Sequence, residues 1–293
     1  MNIDYEYLSK IRRAVALYTN RKTSNILDGD FHSVYRGRSM EFNDLKEYTY
    51  GDDVHDIDWK ASSRMSQVLV RRYMADRRHN VMFICDRGEK MLGDTSKGVK
   101  KREMMLMTFG ILAFIAGRNG ADYALSYPGD HSTEKSFFKS GNDHLERLLY
   151  EYEKNLDKDT NFSLTQTVDE ILNTVNKRMI IFLITDIEGV SELDEGLVRS
   201  ITKNNDLMII NIDDAYLTGD MVFDNEKGLY EKIFLSHSRA LHKEEVKIRQ
   251  EILANASLIC KRNKAALMTI ASEEEIIEST IALLERYKNG YYG

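Results

Sequence analysis

The sequence predicts an α/β fold, a mostly parallel sheet with helices on both faces, preceded by a smaller N-terminal segment. Two observations predict it. The segments VMFICD, RMIIFLITD and DLMIINID are continuous apolar runs rather than alternating ones, the pattern of strands buried on both faces. Between them lie amphipathic stretches of helical period, so strand and helix alternate along the chain without an internal repeat.

Taken in order, residues 4–20 predict a helix, with Tyr7, Ile11, Val15 and Tyr18 at spacings of three and four. The polar stretch Thr23 to Asp30 reads as a loop, and short extended pieces follow through Val70. VMFICD opens the sheet, and Lys100 to Arg118 forms an apolar-rich helix. ADYALSY and SFFK are expected to pair as a hairpin across PGDHSTEK. Helices are expected over Asn142–Asn155, Leu164–Asn176 and Leu193–Lys203, with RMIIFLITD and DLMIINID as the strands around the last of these. Helix Ser238–Lys261, strand AALMTIA and helix Glu273–Tyr287 complete the reading, leaving Lys288 to Gly293 as a frayed tail. The boundary between the two parts is placed at residues 1–78 and 79–293.

Composition removes several function classes. A 293-residue chain with 42% hydrophobic and 30% charged residues is that of an ordinary soluble protein. Its longest apolar run, MMLMTFGILAFIAG, falls short of a membrane span, and MNIDYEYLSKIRRAVALYTN lacks the apolar core of a signal peptide. A cytoplasmic location is expected. The net charge of −6 offers no general attraction to nucleic acid or anionic membranes. Cys85 and Cys260 lack redox or zinc spacing and are expected to be buried, reduced thiols. The basic runs Lys97, Lys100, Lys101, Arg102 and Arg71, Arg72, Arg77, Arg78 read as solvated faces.

Enzyme signatures are absent. No phosphate-binding G-x-x-x-x-G-K-[ST], nucleophile-elbow G-x-S-x-G or zinc-binding H-E-x-x-H occurs, and His32, His55 and His79 have no metal-ligand or nucleophile spacing. In parallel α/β sheets ligands gather at the carboxyl ends of the strands. Asp86 after VMFICD and Asp186 after FLIT are therefore the first candidates, with Thr160 and Thr165 as hydroxyls that could join them. The same residues could equally be helix caps, which favour Asp and Thr.

The stretch Arg36 to Arg72 holds five aspartates, five arginines and the only tryptophan. Asp52, Asp53, Asp56 and Asp58 are expected to pair with Arg36, Arg38, Arg64, Arg71 and Arg72 around Trp59 and Phe42. Read as a calcium loop from Asp52, the segment has Ile57 where glycine is needed and Ser63 where glutamate is needed. Trp59 is expected in the core, with an exposed partner anchor as the alternative.

The order Arg36-Gly37-Arg38, Glu41-Phe42, Leu45-Lys46-Glu47-Tyr48, Gly51-Asp52-Asp53-Val54, Ile57-Asp58-Trp59-Lys60-Ala61, Arg64 and Leu69-Val70 resembles the signature of the bacterial family called domain of unknown function 58. Lys46 and His55 depart from it, standing where that pattern usually has arginine. The resemblance implies a von Willebrand factor A-like, Rossmann-type domain from Val81 onward, a protein-interaction or adaptor role beside a MoxR-type AAA+ ATPase, and service in the maturation or remodelling of other proteins. Domains of that type usually hold a divalent ion through Asp-x-Ser-x-Ser, a threonine and a further aspartate. Here the resemblance implies Asp86, Thr160 or Thr165, and Asp186 for those positions, with Gly88 and Lys90 in place of the two serines. The expectation is therefore no cofactor, or magnesium only on the remaining ligands. Lys90 would instead put its own charge between Asp86 and Asp186, and Asp86, Lys90, Thr160 and Asp186 would form a partner-binding face on which a partner acid meets Lys90. The alternative is a metal-dependent hydrolase built on Asp86, Glu89 and Asp186.

Overall fold

The computed structural model describes residues 6–18, 42–73, 79–218, 222–224, 229–231 and 238–292. Its centre is a six-stranded sheet in the order β10-β7-β6-β3-β4-β5. These strands are β3 (Asn80–Cys85), β4 (Asp122–Pro128), β5 (Thr133–Lys135), β6 (Ile180–Thr185), β7 (Asp206–Ile212) and β10 (Ala266–Ile270). All neighbours are parallel except β5, which runs antiparallel on the edge beside β4.

Side-chain alternation along these strands builds two cores. Val81, Phe83 and Cys85 join Ile180, Phe182 and Ile184 on one face, against α1 (Glu6–Tyr18), α3 (Lys101–Arg118), α4 (Asn142–Glu153) and α9 (Glu275–Tyr292). Met82, Ile84, Ile181 and Leu183 point the other way, against α5 (Leu164–Thr174), α7 (Glu195–Thr202) and α8 (Arg239–Arg262). The apolar strands were legible because each feeds both cores. Phe83 stacks on Phe182 at 5.3 Å and meets Phe109 edge-on at 5.2 Å at the centre of the first. Helix α3 lies over it, buried nearly all round, and no described helix is long and apolar enough to cross a membrane. Helix α1 enters the same core through Leu8, Ile11, Ala14 and Val15. The Glu146 carboxylate accepts from the N–H groups of Tyr7 and Leu8 at 3.0 and 2.8 Å, satisfying donors that the first helical turn leaves open.

The predicted hairpin needs a correction. β5 is Thr133–Lys135, not SFFK, and pairs with Ser126–Pro128. At Ser136 the hydroxyl accepts from the Leu125 N–H at 2.9 Å. The register then slips by one residue, so that Lys139 bridges Tyr123. The stretch expected as a helix over Leu193–Lys203 contains α7 and is preceded by a short helix, α6 (Ile187–Ser191). At the far end α9 runs to Tyr292 rather than stopping at Tyr287.

Ahead of the sheet, β1 (Phe42–Glu47) and β2 (Leu69–Tyr73) form an antiparallel pair, and a helix, α2 (Trp59–Met65), stands where extended chain was expected. Asp58 caps α2, accepting from Lys60 and Ala61 N–H, and also takes the Arg71 Nε–H at 3.0 Å. Among the described residues Asp52 pairs with Lys46 at 2.6 Å, and Asp53 caps a 3-10 turn, Val54–Asp56. The Lys46 and Thr49 hydrogen bonds hold the Asp52 carboxyl down at about 2. Arg64 is exposed in the last turn of α2. Arg36, Arg38 and Glu41 lie outside the described residues.

Trp59 is not in the core; it is 69% exposed. The reason is that α2 is tied down by polar contacts. Ser62, its one buried residue, accepts from Leu69 N–H at 2.8 Å and donates to the Asp58 carbonyl at 2.7 Å. Anchored through a serine, the helix has no apolar face that would bury its first residue. Two further hairpin strands, β8 (Val222–Asp224) and β9 (Leu229–Glu231), pair with each other.

Candidate functional site at the carboxyl edge of the sheet

Three adjacent strands, β3, β6 and β7, each deliver an aspartate just beyond their carboxyl ends: Asp86, Asp186 and Asp214. Between β3 and β6 the strand order reverses, the place where open α/β sheets bind ligands. Asp86 and Asp186 are buried, and Asp214 nearly so.

Lys90, in a 3-10 turn over Glu89–Leu92, reaches back to set its Nζ 2.8 Å from Asp86 Oδ2 and 3.3 Å from Asp186 Oδ1. Lys101, the first residue of α3, places its Nζ 2.8 Å from Asp186 Oδ2 and in contact with Asp214 Oδ1. Backbone and hydroxyl donors complete the arrangement. Asp86 accepts from Arg87 N–H at 2.8 Å and from the Thr185 hydroxyl at 2.6 Å. Asp186 caps α6 by accepting from Gly189 N–H at 3.2 Å, and Asp214 accepts from Ile187 N–H at 3.3 Å. The Tyr152 hydroxyl, buried below, donates to the Asp86 carbonyl.

Burial works to strip the protons from both lysines, but the facing carboxylates outweigh it: Asp86 and Asp186 hold Lys90 well above the usual lysine range, and Asp186 and Asp214 raise Lys101. Burial pushes Asp86 up, with Lys90 pulling against it and Asp186 adding to the push. Burial acts on Asp186 in the same direction, yet Lys101 and Lys90 hold it below the ordinary value.

The threonine position is filled differently from expectation. The hydroxyl that meets Asp86 is Thr185's. Thr160 donates its hydroxyl to the Gly129 carbonyl, and Thr165 shares a 2.8 Å contact with Ser163, the N-cap of α5. Glu89 is exposed. Gly88 has φ +129°, a conformation that side chains rarely adopt, and its N–H donates to the Leu156 carbonyl. A serine there would be strained, so the turn itself selects against that ligand.

Sequence reasoning missed Lys101, Thr185, Asp214 and Arg87. In the run Lys97 to Arg102, Lys101 departs from the expected solvated face: its side chain is only 3% exposed, while Lys97 and Lys100 are exposed, Lys97 contacts Glu275 and Arg102 pairs with Asp157 at 2.8 Å. A signal for Lys101 did exist. A cation at the first position of an 18-residue helix opposes the helix dipole, so its presence calls for an acidic partner. Arg87 is also buried, paired with Asp130 and lying 6.0 Å over the Tyr127 ring.

A divalent ion does not fit these residues. Its place between Asp86 and Asp186 holds the Lys90 ammonium, the other oxygen of Asp186 holds Lys101, Gly88 has no side-chain oxygen, and the Thr160 hydroxyl is engaged elsewhere. Among the described residues no group of three His, Cys, Asp or Glu side chains is disposed to hold a metal ion.

The family model described as "Protein of unknown function DUF58" matches residues 44–226, more than half of the chain. The chain belongs to this family. A relative by sequence is the uncharacterized protein Rv1480 of Mycobacterium tuberculosis, 25% identical over 119 residues, which are 41% of this chain and 37% of that protein. The match thus spans well under half the length of that curated relative. Among solved structures, this DUF58 chain is similar to the conserved hypothetical protein BatB from Bacteroides thetaiotaomicron, with 12% identity over 73% of this chain and all of that one, at a TM-score of 0.45. It is also similar to a von Willebrand factor type A protein from Catenulispora acidiphila, with 11% identity over 75% of this chain and 44% of that one, at a TM-score of 0.41. The α/β architecture of the DUF58 chain rests on its own strand order and register.

Proposed function

We propose that the chain is a non-enzymatic protein-interaction or adaptor module of the cytoplasm, working with a MoxR-type AAA+ ATPase in protein maturation or remodelling. The docking face is the carboxyl edge, with Lys90 at its centre, the buried Asp86 and Asp186 fixing its charge, and Thr160, on the loop before α5 and bonded to the Gly129 carbonyl, as a further contact. The observation that carries the reading is the mutual engagement of the charges there. Asp86 and Asp186 each accept from three donors, and each lysine bridges two carboxylates. A general base or nucleophile needs a free lone pair facing the substrate, whereas a recognition surface needs fixed, pre-organised charge. Lys90 is the most exposed member of the cluster, with a side chain 23% exposed against 18% for Asp214. The ATPase and the maturation role follow from the family resemblance. The hydrolase reading on Asp86, Glu89 and Asp186 is disfavoured by the two ammonium groups occupying its metal position.

The test is direct binding of the purified chain to a MoxR-type ATPase of the same organism by biolayer interferometry. Wild type should bind saturably, and Lys90→Ala should weaken binding by about tenfold or more. A charge reversal at the exposed neighbour Glu192, E192K, gives a second reading that leaves the buried pairs intact. Unchanged affinity in both variants would remove the interface from this face; no binding by wild type would remove the ATPase.

A further inference from the structure

We infer that Lys90 and Lys101 together stand in for a divalent cation at this edge, making the site independent of metal ions, and that replacing Lys90 with serine would open it to one. The inference holds whether or not an ATPase is the partner, and its test uses no partner, so the two readings can fail separately.

Charge and placement carry the argument. Two ammonium groups bring the +2 of a divalent ion to three carboxylates set side by side at the ends of β3, β6 and β7, Lys90 between the first two and Lys101 between the last two. Lys90 does what an ion bridging two strands would do: a single centre touches Asp86 from β3 and Asp186 from β6. Lys101 takes the second oxygen of Asp186 and ties it to Asp214 after β7. That cross-link extends further, because Arg249 of α8 donates to the Asp214 and Ala215 carbonyls at 2.6 Å each. Both lysines bind from within the chain, and their pKa values keep them charged throughout the physiological range. The state that a metal-holding site reaches only on loading is therefore permanent here.

The identity of each lysine fits the role. Lys90 lies four residues after Asp86 on the same turn, so its stem folds back without crossing another element. Lys101 opposes the dipole of α3, a placement that the two carboxylates offset. Replacing Lys90 with serine takes away one of the two ammonium charges, leaves Asp86 Oδ2 and Asp186 Oδ1 facing a space and supplies a hydroxyl from the turn that carries it. That is an oxygen-ligand set suited to magnesium or manganese.

The experiment is a Mn2+ titration followed by electron paramagnetic resonance, with thermal unfolding in parallel, on wild type, Lys90→Ser and Lys90→Ser/Asp186→Asn. Wild type should show no saturable binding and no Mn2+-dependent rise in Tm. Lys90→Ser should bind one Mn2+ per chain with a Kd of about 1 mM or tighter and rise in Tm as Mn2+ is added; the double variant should lose both effects. Should Lys90→Ser not fold alone, its refolding from urea with and without Mn2+ gives the answer: rescue supports the inference and no rescue overturns it. One tight Mn2+ on wild type, or a folded Lys90→Ser that binds none, also overturns it.

Discussion

Replacing Lys101 with methionine keeps the buried stem and removes only the charge. Lys101 is 3% exposed in its side chain and faces Asp186, which is 2% exposed, and Asp214, which is 18% exposed. Breaking a buried pair by deleting one partner costs about 3–5 kcal/mol, because the partner charge is stranded. Two features place this case at the lower end. Asp186 keeps Lys90 at 3.3 Å and Gly189 N–H at 3.2 Å. Asp214, already pushed up by burial, can take a proton and is partly reached by water. Lys101→Met should therefore lower stability by about 3 kcal/mol. In urea unfolding at neutral pH this appears as a lower midpoint with an unchanged slope. Adding Asp214→Asn should recover part of the loss, since one stranded carboxylate is then neutral, and the double-mutant cycle reads the coupling. A loss below about 1 kcal/mol would refute the reasoning, because that is the scale of a solvated surface pair.

Three further outcomes are expected. Both lysines have folded-state pKa values raised above the ordinary 10.5, so their contribution is fully present below that value and lost as pH rises through the folded-state values. Stability should thus fall above about pH 10.5, and less steeply in Lys90→Met. The single tryptophan, being 69% exposed, should fluoresce near the emission of indole in water and be quenched freely by iodide; Trp59→Ala should change stability by less than about 0.5 kcal/mol. A Cβ on Gly189 would lie 2.0 Å from Thr185 Oγ1 and 3.1 Å from Asp86 Oδ2. Gly189→Ala should therefore cost about 1–3 kcal/mol by thermal or urea unfolding, since the crowding falls on fixed groups of the site.

Much of the fold was legible because its signals are local. VMFIC and IIFLIT feed cores on both faces, so no alternation was needed to read them as strands, and Leu164 to Thr174 announces itself with a capping box at Ser163 and Gln166. The hairpin was misplaced because the Ser136 hydroxyl substitutes for a ladder group, which composition does not reveal. Trp59 was misread because size argued for burial, while the helix it begins is held by Ser62 and Asp58. At the site, Asp86 and Asp186 were visible from the strand ends, and Lys90 from the family resemblance. Lys101 and Asp214 were not, since they meet across 113 residues and only the sheet order brings them together. Lys101 also sits inside a basic run whose other members are exposed or half-exposed, so charge alone could not single it out.

The central claim is that the carboxyl edge is closed by the chain's own lysines. A crystal structure grown in Mn2+, with an anomalous difference map, tests it most directly. The account predicts the Lys90 ammonium between Asp86 and Asp186, Lys101 between Asp186 and Asp214, and no anomalous peak at either place. A manganese peak bridging Asp86 and Asp186, with Lys90 turned out to solvent, would contradict it.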